Sequence, residues 1–256
     1  EDVEDGPHFL EVARRAGRKK PVIILKSGTS QAGAQAASSH TGALAGSDLA
    51  YETAFRQSGV IRARSMPELF DLAVSFANQP VPKGDRIAVV TNSGGPGIVA
   101  TDIIELKGLK MARFTKDTVE ELRGYLPAES NIYNPVDVLG DAKADRYRFS
   151  LEKVLADPGV DSAVVLVCPA GVTEPVETAR TMLEMRKTYP EKPLFAAFMG
   201  GARLEEGAKL LGEAGIPCFT FPEPAISSIS GLVSYARTRD LPVGEETIHS
   251  PDADLK

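Results

Sequence analysis

Two short stretches hold the residues most able to do chemistry. The first is "AASSHTGALAGSD", residues 36–48, where His40 stands among Ser, Thr, Gly and Ala. An imidazole with an ordinary pKa near 6.5 is substantially neutral at pH 7, so it can serve as nucleophile or base. Small neighbours such as Ser39, Thr41 and Gly42 let a backbone come close and supply hydrogen bonds. The second stretch is "RIAVVTNSGGPGIVATD", residues 86–102. There an apolar strand runs through Asn92, Ser93, Gly94, Gly95, Pro96 and Gly97 into a helix. Glycines at such a turn permit left-handed angles and close approach of a ligand, and the opening N–H groups with the helix dipole suit phosphate or carboxylate.

Other chemistries fit less well. Gly95, Gly97 and Ala100 satisfy a loose dinucleotide fingerprint, with Asp117 near the position of its ribose-binding acid. Asp117 reads more simply as a first-turn acid in a helix capped by Thr115, which leaves NAD binding the weaker alternative. The chain has no GxSxG elbow and no GxxxxGK[ST] loop. Three histidines and two distant cysteines, Cys168 and Cys218, do not make a metal site. Both cysteines read as small buried hydrophobes in a reducing compartment. A net charge of −6 with mixed signs points away from nucleic acid. No apolar run reaches the roughly 20 residues that span a bilayer, so the expectation is a cytoplasmic protein off the membrane.

The elements that must position these residues alternate. Strands are expected at 21–25, 86–91, 109–114, 162–168, 193–199 and 217–221, with a weaker one at 59–63. Helices are expected at 48–58, 66–77, 97–107, 117–124, 144–156, 174–188, 203–214 and 223–238. Near-continuous apolar strands alternating with helices predict an α/β protein of parallel sheets covered on both faces. Residues 26–37 read as loop. The Pro- and Gly-bearing stretch at 79–85 reads as a linker. Residues 86–240 hold enough βα units for a complete doubly wound domain, and 241–256 reads as a polar tail containing His249. Residues 1–78 hold too few strands to close a parallel sheet, so that domain is expected to be incomplete at its N-terminus.

"KSGTSQAGAQAASSHTGALAGSD", "AFRQSGVIRARSMPELFD", "VVTNSGGPGIVATDIIELKGL", "NPVDVLGDA" and "YRFSLEKVLADPGVDSAVVLV" carry a further signal by their order and spacing. Together they resemble the NDP-forming acyl-CoA synthetases, relatives of succinyl-CoA synthetase. The resemblance covers nearly all of residues 1–240 and is strongest to the α part of the ADP-forming acetyl-CoA synthetases. It implies two flavodoxin-like, succinyl-CoA synthetase-type domains, and a ligase that conserves thioester energy as ATP. In the chemistry this resemblance implies, phosphate attacks acyl-CoA to give an acyl phosphate, the histidine matching His40 takes the phosphoryl group, and a mobile loop carries it to ADP.

The resemblance further implies that the phosphohistidine is held between the N-termini of two helices. The helix at Gly95–Gly97 matches one; the other is expected upstream of residue 1. Glu1 matches a carboxylate that hydrogen-bonds the histidine. With the chemistry of the two stretches, this makes Ser39, Thr41, Gly42, Asn92, Ser93, Gly94, Gly95 and Gly97 the expected phosphate-binding residues. CoA and ADP or ATP with Mg²⁺ are expected mainly on a CoA-binding domain and an ATP-grasp domain or β subunit outside this chain, in an oligomer such as α₂β₂ or a fused dimer. The chain by itself is then expected not to turn over. The alternative is a non-catalytic, acyl-CoA-sensing regulatory module of the same fold; the presence of His40 favours catalysis.

Overall fold

A computed structural model describes residues 3, 5–41 and 47–239. The first part holds α1 (Gly6–Gly17), β1 (Ile23–Leu25), α2 (Gln31–Thr41), α3 (Asp48–Ser58), β2 (Ile61–Ala63) and α4 (Met66–Asn78). β1 and β2 pair in parallel, Ile23 opposite Ile61 and Leu25 opposite Ala63. The second part runs β3 (Arg86–Thr91), α5 (Gly94–Leu106), β4 (Lys110–Met111), α6 (Lys116–Tyr125), β5 (Val136–Asp137), α7 (Ala144–Ala156) and β6 (Ser162–Val167). It continues through α8 (Pro175–Thr188), β7 (Leu194–Phe198), a 3-10 turn at Gly201–Arg203, α9 (Glu205–Glu213), β8 (Cys218–Phe219) and α10 (Pro222–Arg239).

The larger sheet is parallel in the order β4-β3-β6-β7-β8, with β5 also on β3. That order is the flavodoxin-like doubly wound arrangement, whose direction of winding reverses between β3 and β6. Alternate residues of each central strand enter opposite cores, because successive side chains of a strand point to opposite faces. Ala88, Val90, Val165 and Ala196 join Leu122, Tyr147, Leu151 and Met182 on one side. Ile87, Val89, Val164 and Phe195 join Ala100, Ile104, Ile229 and Leu232 on the other. Burial on both faces is why these strands read as unbroken apolar runs rather than as alternating ones.

The edge beside β3 departs from expectation. β4 is two residues long instead of six, pairing Arg86 with Lys110 and Ile87 with Met111. β5, which periodicity did not reveal, takes over at Val90 and Thr91. The gap between them is filled by the side chain of Asn134. Its oxygen accepts from Val89 N–H at 2.9 Å, and its nitrogen donates to the carbonyls of Ile87 at 2.8 Å and Ala112 at 3.0 Å. One amide therefore satisfies ladder groups that a buried strand edge cannot leave unpaired.

α1 and α2 went unread in the sequence. α1 is capped by Asp5, which accepts from His8 N–H at 2.9 Å. α2 occupies much of the stretch expected as loop: Ala is the strongest helix former, and the Ser30 hydroxyl accepts from Gly33 N–H at 3.1 Å at its start. Between the two parts, Leu72 of α4 and Tyr235 of α10 share a core with Ile61 and Ala63. Residues 79–85 are tied down at their start. The Gln79 amide donates to the Gly215 carbonyl and accepts from Leu194 N–H, both at 2.9 Å, and Arg186 donates to the Asn78 carbonyl at 2.5 Å. Glu1, Gly42 and the tail 241–256 lie outside the described residues.

Candidate functional site

The turn after β3 lies where the winding reverses, between the carboxyl ends of β3 and β6, the place where open α/β sheets bind ligands. Asn92, 4% exposed, bridges the two strands. Its Nδ2 donates to the Cys168 carbonyl at 2.9 Å, and its Oδ1 accepts from Cys168 N–H at 2.8 Å. The loop after β6 is braced further by Thr173, whose hydroxyl accepts from Ala170 N–H at 2.8 Å and donates to the Cys168 carbonyl at 3.3 Å. Thr91 holds the turn from below. Its hydroxyl accepts from Ser93 N–H at 3.0 Å and donates to the Ser93 carbonyl at 2.9 Å.

These bonds decide which donors are free. Ser93 N–H is taken by Thr91, Pro96 has none, and Gly97 N–H reaches the Ser93 carbonyl at 3.3 Å. Gly94 and Gly95 remain as exposed first-turn residues whose N–H groups have no acceptor within the helix. Two such donors at the positive end of a helix have the electrostatics that suit an anion. α5 begins three residues earlier than expected because these glycines take helical angles: none of Gly94, Gly95 and Gly97 has a positive φ. The expected left-handed turn is therefore replaced by a helical one. Gly97 serves packing, since a Cβ there would stand 3.2 Å from Thr91 Cγ2 and 3.6 Å from Pro135 Cβ. Around Gly95 nothing lies within 4 Å of that position, so this is where the backbone is open to a ligand.

Sequence reasoning gave no role to Asp137, Thr91 and Thr173. Asp137 ends β5, accepts from Leu139 N–H at 2.9 Å through Oδ1, and puts Oδ2 3.5 Å from where a Gly94 Cβ would stand. Its place in "NPVDVLGDA" was the one available signal. Thr115 caps α6 as expected, accepting from Thr118 N–H, with Asp117 in the first turn. That removes the acid a dinucleotide fold would use. Both cysteines are half-buried rather than buried. Burial still pushes the Cys218 thiol up to about 12, far from a reactive thiolate.

The other cluster follows β1. Ser39, His40 and Thr41 form the end of α2, so the histidine stands on the last turn of a helix rather than in a loop before one. The Ser39 hydroxyl donates to the Gln35 carbonyl at 2.9 Å, one turn back. The side chains of His40 and Thr41 lie outside the described residues. The structure thus gathers Asn92, Ser93, Gly94, Gly95 and Gly97 in one turn and Ser39, His40 and Thr41 in another, on units following different sheets. Among the described residues no cluster of three or more His, Cys, Asp or Glu could hold a metal, and no helix is long and apolar enough to cross a membrane.

Comparison with known proteins places this geometry. Residues 1–76 match a succinyl-CoA ligase like flavodoxin domain, and residues 87–241 match a Ligase-CoA domain. The chain therefore belongs to the CoA-ligase family that includes the ADP-forming acetyl-CoA synthetases. It is 44% identical to acetate–CoA ligase [ADP-forming] I of Archaeoglobus fulgidus, over 93% of this chain and 33% of that protein. It is 42% identical to the alpha subunit of acetate–CoA ligase [ADP-forming] II of Pyrococcus furiosus, over 93% of this chain and 52% of that subunit. A solved structure of acetyl-coenzyme A synthetase 1 from Ca. Korarchaeum cryptofilum, described as dinucleotide forming and in complex with phosphate and ADP, superimposes with a TM-score of 0.87. It is 34% identical and covers 93% of this chain and 52% of its own. The chain thus spans between a third and about half the length of these relatives.

Proposed function

We propose that this chain is the phosphoryl-carrying part of an ADP-forming acid–CoA ligase. The observation that carries the reading is the pair of exposed first-turn residues Gly94 and Gly95, whose N–H groups have no acceptor within the helix, at the winding reversal of a Ligase-CoA domain, together with His40 inside the stretch that matches the succinyl-CoA ligase like domain. The chemistry runs in three displacements. A phosphate oxygen attacks the thioester carbonyl of acyl-CoA and the CoA thiolate leaves. The neutral His40 imidazole attacks the phosphorus of the acyl phosphate, and the carboxylate departs. A terminal oxygen of ADP then takes the phosphoryl group, regenerating the imidazole and giving ATP.

In this reading the N–H groups of Gly94 and Gly95 face phosphoryl oxygens and offset their charge. Asn92 and Thr91 fix that pair rather than touch the ligand, since their side chains are engaged by Cys168 and Ser93. Ser39, Thr41 and Gly42 flank the carrier, and Glu1 is assigned to orient its imidazole. CoA and the nucleotide with Mg²⁺ are assigned to a CoA-binding domain and an ATP-grasp domain or β subunit, assembled with this chain in an oligomer in the cytoplasm. By residue range, 1–78 and 86–240 form two ligase domains joined by 79–85.

The test uses the full-length protein with its ATP-grasp part, γ-labelled ATP and Mg²⁺. Acid-labile, base-stable label on wild type but absent from His40→Ala is expected. Equal label on His40→Ala, or none on wild type whose partner binds ATP, would remove the carrier role.

A further inference from the structure

The junction between the two parts is packed in its middle and pinned at both ends. Leu72 of α4 is buried and shares a core with Ile61, Ala63 and Tyr235. Phe76, one turn on, packs against that core and also against the core of the larger sheet that holds Ile229 and Leu232. Its ring meets Tyr235 edge-on, with centroids 5.6 Å apart. Gly231 lets α4 and α10 come this close, since a Cβ there would stand 2.4 Å from Leu72 Cδ2. Further along α10, Thr238 Cβ stands 3.2 Å from where a Cβ on Gly59 would be.

Polar groups hold the two ends. The buried Gln79 amide accepts from Leu194 N–H and donates to the Gly215 carbonyl, so the end of α4 is bonded to the start of β7 and to the turn before β8. Arg186 of α8 donates to the same Gly215 carbonyl and to the Asn78 carbonyl. At the far end Asp85 pairs with Lys110 at 3.2 Å and with Arg237 of α10 at 2.5 Å. Gly84 lies against Asp161, whose Oδ2 would be 2.4 Å from a Cβ on that glycine. Two units turn freely about a linker that few contacts cross, and a hinge needs residues able to change φ and ψ. Rotation about 79–85 would instead expose Leu72, Phe76 and Tyr235 to water and strip Leu194 N–H of its acceptor.

We propose that the seam of α4 against α10 is a fixed joint, with Gln79 and Gly231 its positioning residues, and that residues 79–85 are not a hinge. The first unit carries α2, on whose last turn His40 lies, and the second carries the turn at Gly94 and Gly95. One separation of the two units then holds in every ligand state, and phosphoryl transfer uses no rotation of one unit against the other. This use of the joint rests on the carrier reading of His40, whereas the joint itself is measured without any transfer.

In the full-length protein with its ATP-grasp part, spin labels are placed at the exposed Arg56 of α3 and Lys209 of α9 through ketone side chains, which leaves Cys168 and Cys218 unlabelled. Pulsed electron resonance gives their separation without ligand, with inorganic phosphate, with CoA, and after phosphorylation by ATP and Mg²⁺. One narrow distance, the same in every state, is expected. A shift of more than about 2 Å, the scale of a domain rearrangement, or a second distance in any state overturns the proposal. Gly231→Leu and Gln79→Leu should broaden the distance and slow phosphohistidine formation, on the order of 100-fold for a misplacement of about 1 Å, with KM for ATP unchanged. A lower Tm with wild-type distance and rate in both variants is the mark of a merely structural role and overturns the assignment of the two residues. Should Gly231→Leu fail to fold, Gln79→Leu and the wild-type distances decide by themselves. Label that persists in His40→Ala would strike the carrier reading and leave the joint standing.

Discussion

Replacing Asn92 with Asp tests how the candidate site is built. The substitution keeps shape and the acceptor for Cys168 N–H, but exchanges the donor to the Cys168 carbonyl for an oxygen at 2.9 Å. At 4% exposure, water cannot readily replace the lost partner. The Thr173 hydroxyl still donates to that carbonyl at 3.3 Å, so the cost is the shorter of its two hydrogen bonds and two oxygens set face to face, about 1–3 kcal/mol. For a domain of roughly 150–250 residues, each kcal/mol lowers Tm by about 2–4 °C. The sign with pH follows from the same geometry. Facing a carbonyl oxygen, the new carboxyl is destabilised when charged, so its folded pKa rises above the unfolded value of about 3.9. The deficit is largest at neutral pH and shrinks as pH falls and the acid, once protonated, can donate to Cys168. Thermal unfolding followed by circular dichroism at pH 7 and pH 5 measures both. A Tm equal to wild type at pH 7, or a deficit that does not shrink at pH 5, would refute the bridge as the support of the turn.

The two glycines of the turn should separate folding from binding. Gly97→Ala should lower stability by about 1–3 kcal/mol through overpacking against Thr91 and Pro135, whereas Gly95→Ala, with open space around it, should not; calorimetric unfolding of both decides this. Asp157 and Asp161 give a second pH dependence. Burial alone would raise both carboxyls. For Asp157, hydrogen bonds from Thr115, Thr118 and Gly159 outweigh it, and for Asp161 the Arg86 guanidinium and N–H do so; both end below the usual carboxylate range. Their stabilisation is present above the unfolded value of about pH 3.9 and is lost as pH falls through the lower folded values. Asp157→Asn and Asp161→Asn should therefore be less stable than wild type at pH 6 and approach it near pH 3, as read by urea midpoints.

The legibility of this chain varies with how its signals arise. α3 and α7 fall where apolar periodicity places them, and β3 spans the six residues of its apolar run. α2 was hidden because Gln, Ala and Ser give no apolar stripe; its helical character comes from propensity and the Ser30 cap. β4 was overextended because the "LKMARF" run satisfies strand propensity through residue 114, while only Lys110 and Met111 find a partner. The rest of that edge belongs to β5 and to Asn134, 22 residues beyond Ala112 in the chain, and local pattern does not encode such a distance.

What the sequence determined by itself is the alternation that produces parallel sheets, the family order of its motifs, and the location of the turn at residues 92–97. Side-chain periodicity and turn chemistry act within a few residues, so they are written locally. What tertiary structure alone decided is the function of each member of that turn. Asn92 became a clasp because Cys168, 76 residues away, arrives beside it. Gly97 became a packing contact because Thr91 and Pro135 close on it, and Gly95 stayed open because nothing does. Those outcomes depend on which strand lies next to which, and strand order is fixed only when the sheet closes its two cores.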